Sequence, residues 1–189
     1  YSYERRETNC LTNIGSKNPP VVIADLSGEK EITRQTFGEF GYHFNEKDNT
    51  WKKLPDAADW IYLGEQEPGF AMPQDARFIC PASHRMVFPY AYPLYSLFEF
   101  LENTDDCHPV LNFVAAENCL LDEEEIAILK NRSNFVFVLS SSNLNSPADM
   151  RSFFNHIMLN GIQAPVIIQR NYLETDHETF QLKAAADLG

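Results

Sequence analysis

From residue 109 onward, three apolar runs alternate with three amphipathic segments, and no other feature restricts the fold of this chain as strongly. Pro109 to Ala115 reads as a strand covered on both faces. Asp122-Glu123-Glu124-Glu125 then opens a helix carrying Ile126, Ile128 and Leu129, with carboxylates gathered at the positive end of the helix dipole. Phe135 to Leu139 is the second strand. Ser146-Pro147-Ala148-Asp149 supplies a cap residue, a proline at the first helical position and an acid at the third. Met150, Phe153, Phe154, Ile157 and Met158 follow as one apolar stripe, closed by Gly161. Ala164 to Gln169 is the third strand, and Thr175-Asp176-His177-Glu178 is a capping box for a last helix lined by Phe180, Ala184 and Leu188. Such alternation predicts an α/β fold of parallel βα units.

The N-terminal half is irregular. Val21 to Leu26 predicts a buried strand, and residues 27–59, with Gly28, Gly38 and Gly41 among polar residues and aromatics, predict a hairpin or an elaborated loop. Trp60 to Leu63 and Arg77 to Cys80 are short strand candidates, separated by Pro68, Gly69 and Pro73. Leu94, Leu97, Phe98 and Leu101 fall at i, i+3, i+4 and i+7, which predicts a helix directly after Pro93. No repeat, low-complexity tract or long linker divides the chain, so a single α/β domain over 1–189 is expected.

Charge narrows the function classes. With 15 Lys+Arg against 27 Asp+Glu, the net charge of −12 disfavours a nucleic-acid face, which needs clustered Lys and Arg. No apolar run reaches the ~18–20 residues of a membrane span. Cys10, Cys80, Cys107 and Cys119 do not have the density of a disulfide framework, which suits a reducing, cytoplasmic setting. The chain begins at Tyr1 without a basic-then-apolar leader and stops at Gly189 behind a helical pattern, so both ends are expected to be cut from something larger.

Several constellations could carry chemistry. Cys107-His108 could bind a metal or form a nucleophile–base couple, but no C-x-x-C exists and Cys119 stands across a predicted strand, so a plain loop is the expectation. His43, His84, His108, His156 and His177 are general-base candidates without a visible partner; His156 flanks the apolar stripe and His177 suits a cap role. Asp122 to Glu125 point in four directions on a helix and cannot converge on one cation. Gly64 and Gly69 make no G-x-G-x-x-G, and Lys17 and Lys30 have no Walker pattern. Phe88-Pro89-Tyr90-Ala91-Tyr92-Pro93 reads either as an ordered loop folded over the sheet edge or as an exposed docking surface. Arg5-Arg6 beside Glu4 and Glu7 is a solvated terminus.

Three stretches together resemble one family. Tyr3-Glu4-Arg5-Arg6 looks like the paired-arginine entry of the central insert in the long form of 4-hydroxy-3-methylbut-2-enyl diphosphate synthase, known from plants, chlamydiae and Bacteroidetes-like bacteria. Met150-Arg151-Ser152-Phe153-Phe154, on through Pro165 to Ile168, is similar to the late helix and strand of that insert. His177 to Phe180 and Ala184 to Gly189 look like the segment just before that enzyme's DGLGDG stretch. The resemblance implies an insert domain, TIM-barrel-like, within an oxidoreductase of non-mevalonate isoprenoid biosynthesis. That enzyme reductively opens 2-C-methyl-D-erythritol 2,4-cyclodiphosphate with a 4Fe-4S iron-sulfur cluster and electrons from ferredoxin or flavodoxin. It further implies that the substrate-binding barrel and the cluster domain flank this chain, so no catalytic, cofactor-binding or metal-ligating residue is assigned within it. The irregular first half makes a degenerate or partial barrel the expected architecture.

Three functions compete on these grounds. The leading one is a non-catalytic spacer between the two flanking domains. The second is a docking module for an electron donor or second subunit, against which the acidic balance argues mildly when the donor is itself acidic. The third is a small independent enzyme, needing convergent groups near Ser140-Ser141-Ser142, Arg170-Asn171 and Ala115-Ala116-Glu117.

Overall fold

The computed structural model describes residues 23–103, 108–116, 120–140 and 147–169. The predicted last helix over 175–188 and the terminal segments around Arg5-Arg6 and Lys17 lie outside the described residues.

Seven strands form one wholly parallel sheet: β1 (Ile23–Asp25), β4 (Trp60–Tyr62), β5 (Arg77–Pro81), β6 (Tyr92–Ser96), β7 (Asn112–Ala116), β8 (Phe135–Ser140) and β9 (Val166–Gln169). They neighbour one another in chain order, so each connection steps one place in the same direction. Right-handed crossovers then put every connection on one face of the sheet, which is the winding of a barrel and not of a doubly wound sheet. The expected partial barrel is what these residues build. The curl brings the first strand to the last: Gln169 Nε2 donates to Asp25 Oδ2 at 2.6 Å across 144 residues of sequence. No backbone ladder joins β1 to β9 among the described residues, so a side-chain contact spans the seam.

Strand alternation sorts the core into an inner and an outer layer. Inside the curl, Trp60, Ile79, Phe113, Val136 and Val138 pack together, with the Trp60 ring edge-on to Tyr92 and Phe113 at 5.0 and 5.3 Å. Outside it, one cluster under the helices holds Val114, Phe137, Leu139, Phe153 and Ile157, and a second holds Leu26, Phe37, Tyr42, Ile61 and Phe78.

The C-terminal helices start where the sequence places them. α3 (Glu123–Asn131) has a reciprocal capping box: Asp122 accepts from the Glu125 amide and Glu125 accepts from the Asp122 amide, both at 2.8 Å. α4 (Pro147–Leu159) begins at its proline, while the predicted cap Ser146 lies outside the described residues. It buries Met150, Phe153 and Ile157 and ends at Gly161, whose φ of +73° favours glycine. Strand β7 begins three residues later than predicted. Pro109 has no N–H to give a ladder, and the His108 ring takes the amides of Val110 and Leu111 at 3.2 and 3.4 Å.

Two N-terminal expectations need correction. Leu94 belongs to no helix: Tyr92–Ser96 is strand β6 in the middle of the sheet, and α2 (Leu97–Glu102) starts only at Leu97. The Ser96 side chain accepts from the Glu99 amide at 3.2 Å and Glu99 accepts in return from the Ser96 amide at 3.0 Å, which fixes the start one turn late. The i, i+3, i+4, i+7 pattern is thus divided, leaving Phe98 68% exposed. For the same reason Phe88 to Pro93 is not one loop at the sheet edge: Phe88 and Ala91 are buried against the sheet, Tyr90 is 58% exposed, and Tyr92-Pro93 is the start of a central strand. The irregular 27–59 segment contains α1 (Arg34–Glu39) and an antiparallel hairpin, β2 (Tyr42–Asn45) with β3 (Thr50–Lys53). The hairpin is tied down by Tyr42, fully buried, whose hydroxyl donates to the Ala58 carbonyl at 2.7 Å.

Candidate functional site

In βα barrels the C-terminal strand ends are where chemistry collects, so the inner-face residues there form the candidate site. By alternation these are Asp25, Tyr62, Ser96, Ala115, Ser140 and Gln169. Asp25 is already committed: Oδ1 accepts from the Ser27 amide at 2.9 Å and the Ser27 hydroxyl at 2.6 Å, and Oδ2 accepts from Gln169. Burial, then the neighbouring Asp25 charge, holds the Tyr62 phenol above its ordinary pKa, so it is a proton donor and not a nucleophile at neutral pH. Ser96 is occupied as the α2 cap, and Ala115 carries no functional group. The arrangement can close the sheet. Among the described residues it brings no nucleophile, base and oxyanion donors to one point.

The histidines are scattered. His43 is exposed on the hairpin, and His84 lies in the turn after β5 with its Nδ1 3.1 Å from Ser83 Oγ. His156 on α4 reaches the Leu121 carbonyl at 3.0 Å, the flank position expected of it. His108 precedes β7, where Nδ1 accepts two amides and is therefore unprotonated; burial, helped by Arg85, pushes its pKa below the usual value. Cys107, Cys10, Cys119, His177, Glu117, Ser141, Ser142, Arg170 and Asn171 lie outside the described residues.

Cys80 faces outward from β5 in the second outer cluster, and burial pushes its thiol up to about 11. A protonated, enclosed thiol is a poor metal ligand and a poor nucleophile. Among the described residues no group of three or more His, Cys, Asp or Glu side chains could hold a metal ion, so these residues do not fit an iron–sulfur cluster. The carboxylates of Asp122 to Glu125 serve the cap and first turn of α3.

Two surface clefts accompany this framework. One, of about 390 Å³, lies between α1 and the hairpin, where the Arg34 guanidinium stacks 3.9 Å from the Phe44 ring centroid. The other, of about 270 Å³, lies at the N-terminal rim of β7 and β8 beside a network that sequence reasoning missed. Buried Asn112 donates to the carbonyls of His108 and Asn134 and accepts the His108 amide at 2.8 Å. Arg132 donates to the carbonyls of Phe100 and Leu101 at the end of α2 and stacks over Phe100 at 4.5 Å. The second cleft is framed by groups occupied in holding loops and helix ends. The available sequence signals, an Asn opening a strand and an Arg closing a helix, do not name partners twenty to thirty residues away.

No protein-family profile matches the chain, and no solved structure matches it. Several curated relatives do. A protein of Parabacteroides distasonis is 30% identical over 186 residues, covering 98% of this chain and 27% of that protein. One of Bacteroides fragilis is 28% identical over 185 residues, covering 98% and 26%. One of Phocaeicola vulgatus is 30% identical over 190 residues, covering 98% and 27%. All three are named 4-hydroxy-3-methylbut-2-en-1-yl diphosphate synthase (flavodoxin). The chain spans about a quarter of the length of these relatives.

Proposed function

We propose, from a match that takes in 98% of this chain but 27% of a synthase, that the chain is an insert domain of a flavodoxin-dependent 4-hydroxy-3-methylbut-2-en-1-yl diphosphate synthase. The coverage is the observation that carries the reading: the homologous segment is long enough to be a domain and far too short to be the enzyme. In this reading the chain is a non-catalytic spacer. Substrate and the 4Fe-4S cluster are held by flanking domains of the same cytoplasmic polypeptide, and flavodoxin supplies the electrons for reductive ring opening in isoprenoid biosynthesis.

What the residues offer such a role is stiffness. Seven adjacent parallel strands with cores on both faces resist bending, and the Asp25–Gln169 contact ties the two edges. A rigid body between two reacting domains sets the distance over which a closing motion must work.

The test is to express the whole synthase with and without this segment, the latter bridged by a flexible Gly/Ser linker. Both proteins should assemble the cluster, seen by its visible absorption, while the linker variant loses ring-opening turnover by an order of magnitude or more. Iron bound by the 189-residue chain alone, or ring opening catalysed by it, would overturn the proposal.

A further inference from the structure

The crossovers of the parallel sheet are unequally covered. Helix α2 connects β6 to β7, α3 connects β7 to β8, and α4 connects β8 to β9. Between β4 and β5 there is no helix, and between β5 and β6 only a three-residue 3-10 turn, Ala82–His84. Over β4 and β5 the outer layer is α1 and the hairpin, whose Phe37 and Tyr42 pack with Ile61 and Phe78, whereas the β5–β6 crossover is loop. Phe88 and Ala91 seal the sheet there, while their neighbours turn outward: Met86 is 92% exposed, Val87 47% and Tyr90 58%. Three large apolar side chains displayed within five residues make a patch, unlike single apolar residues scattered over a surface.

Charge distinguishes this patch further. The chain carries −12, yet no carboxylate occurs in the sequence between Asp75 and Glu99, the stretch that holds Met86, Val87 and Tyr90. This segment therefore adds no negative charge of its own to the repulsion between copies of an acidic protein.

We infer that the Met86–Val87–Tyr90 face of the β5–β6 crossover is a docking surface for a flanking part of the same polypeptide, one presenting an apolar surface. The inference rests on the reading of the chain as a segment of a longer synthase. Some three quarters of each matched relative lies outside the aligned segment. A covalently tethered partner of that size is present at roughly millimolar effective concentration, so a small patch suffices to engage it where a diffusing partner would need more area. A second copy of the chain meets the repulsion of two bodies each carrying −12.

The experiment uses the whole synthase polypeptide carrying Met86→p-benzoylphenylalanine, with Glu124→p-benzoylphenylalanine on exposed α3 as control. After irradiation, position 86 should cross-link to peptides outside these 189 residues without doubling the mass, and position 124 should not. In the unsubstituted polypeptide, peroxide should convert Met86 to its sulfoxide about fivefold or more slowly than methionine in a short peptide. A cross-link to a second copy, a cross-link formed only with added flavodoxin, or an uncovered Met86 would overturn the inference. Ring-opening turnover measured on the same preparation separates the two claims: an active synthase with an uncovered Met86 refutes the docking surface alone, and an inactive polypeptide with the cross-link refutes the synthase reading alone.

Discussion

Replacing Tyr42 with phenylalanine tests whether the irregular N-terminal segment is an integral part of the core. The ring is fully buried in the outer cluster around Phe37, Ile61 and Phe78, and its hydroxyl donates to the Ala58 carbonyl at 2.7 Å. Phenylalanine keeps the ring, so the loss is that of one buried hydrogen bond plus a carbonyl left without this donor, together about 2 kcal/mol. For a chain of this length that lowers Tm by roughly 4–8 °C. Alkaline pH gives a second readout. Burial, followed by the charges of Asp59 and Asp75, raises the Tyr42 phenol from 10.0 to about 12. A raised phenol keeps its proton in the fold after the unfolded chain has lost it. Its contribution is therefore whole below pH 10 and drains away as pH rises from 10 to about 12, by up to about 3 kcal/mol. Thermal unfolding followed by circular dichroism at pH 7.5 and 10.5 should show Tyr42→Phe less stable than the native chain at the lower pH and the gap narrowing at the higher. Equal midpoints at pH 7.5 with parallel alkaline decline would refute the reasoning.

Two glycines with positive φ should respond differently to alanine. At Gly41, φ +87°, a Cβ would lie 2.6 Å from the Ala57 Cα, so Gly41→Ala must displace backbone and should cost about 2–4 kcal/mol, whereas Gly161→Ala, with its nearest neighbour 3.9 Å away, should cost only the ~1 kcal/mol of conformational strain; urea midpoints compare them. The lowered pKa of His108 makes the unfolded chain the better proton acceptor, so stability falls as pH drops below about 6.5. In His108→Asn, whose side-chain oxygen can still accept the Val110 amide, urea midpoints between pH 7.5 and 5.5 should fall less steeply than in the native chain.

The acidic start of α3, the proline start and apolar stripe of α4, and β8 were legible because each depends on residues at most a turn or two apart. Helix periodicity and cap chemistry are local, so Asp122 with Glu125, or Phe153 with Ile157, can be matched by spacing alone. The parallel βα class follows from the same local signals read in order, whereas the partial barrel was implied by the family resemblance. Spacing misled at Leu94, because a central strand followed directly by a helix can mimic helical period, and only pairing with Cys80 on one side and Phe113 on the other commits Tyr92–Ser96 to the sheet. Three further features also belonged to tertiary structure alone: the reach of Arg132 to the end of α2, the Tyr42 bond to Ala58, and the meeting of Asp25 with Gln169. Each joins positions 16 to 144 residues apart, and the curl of the sheet brings distant side chains within hydrogen-bond distance through the summed twist of seven strands, which no single stretch of sequence encodes.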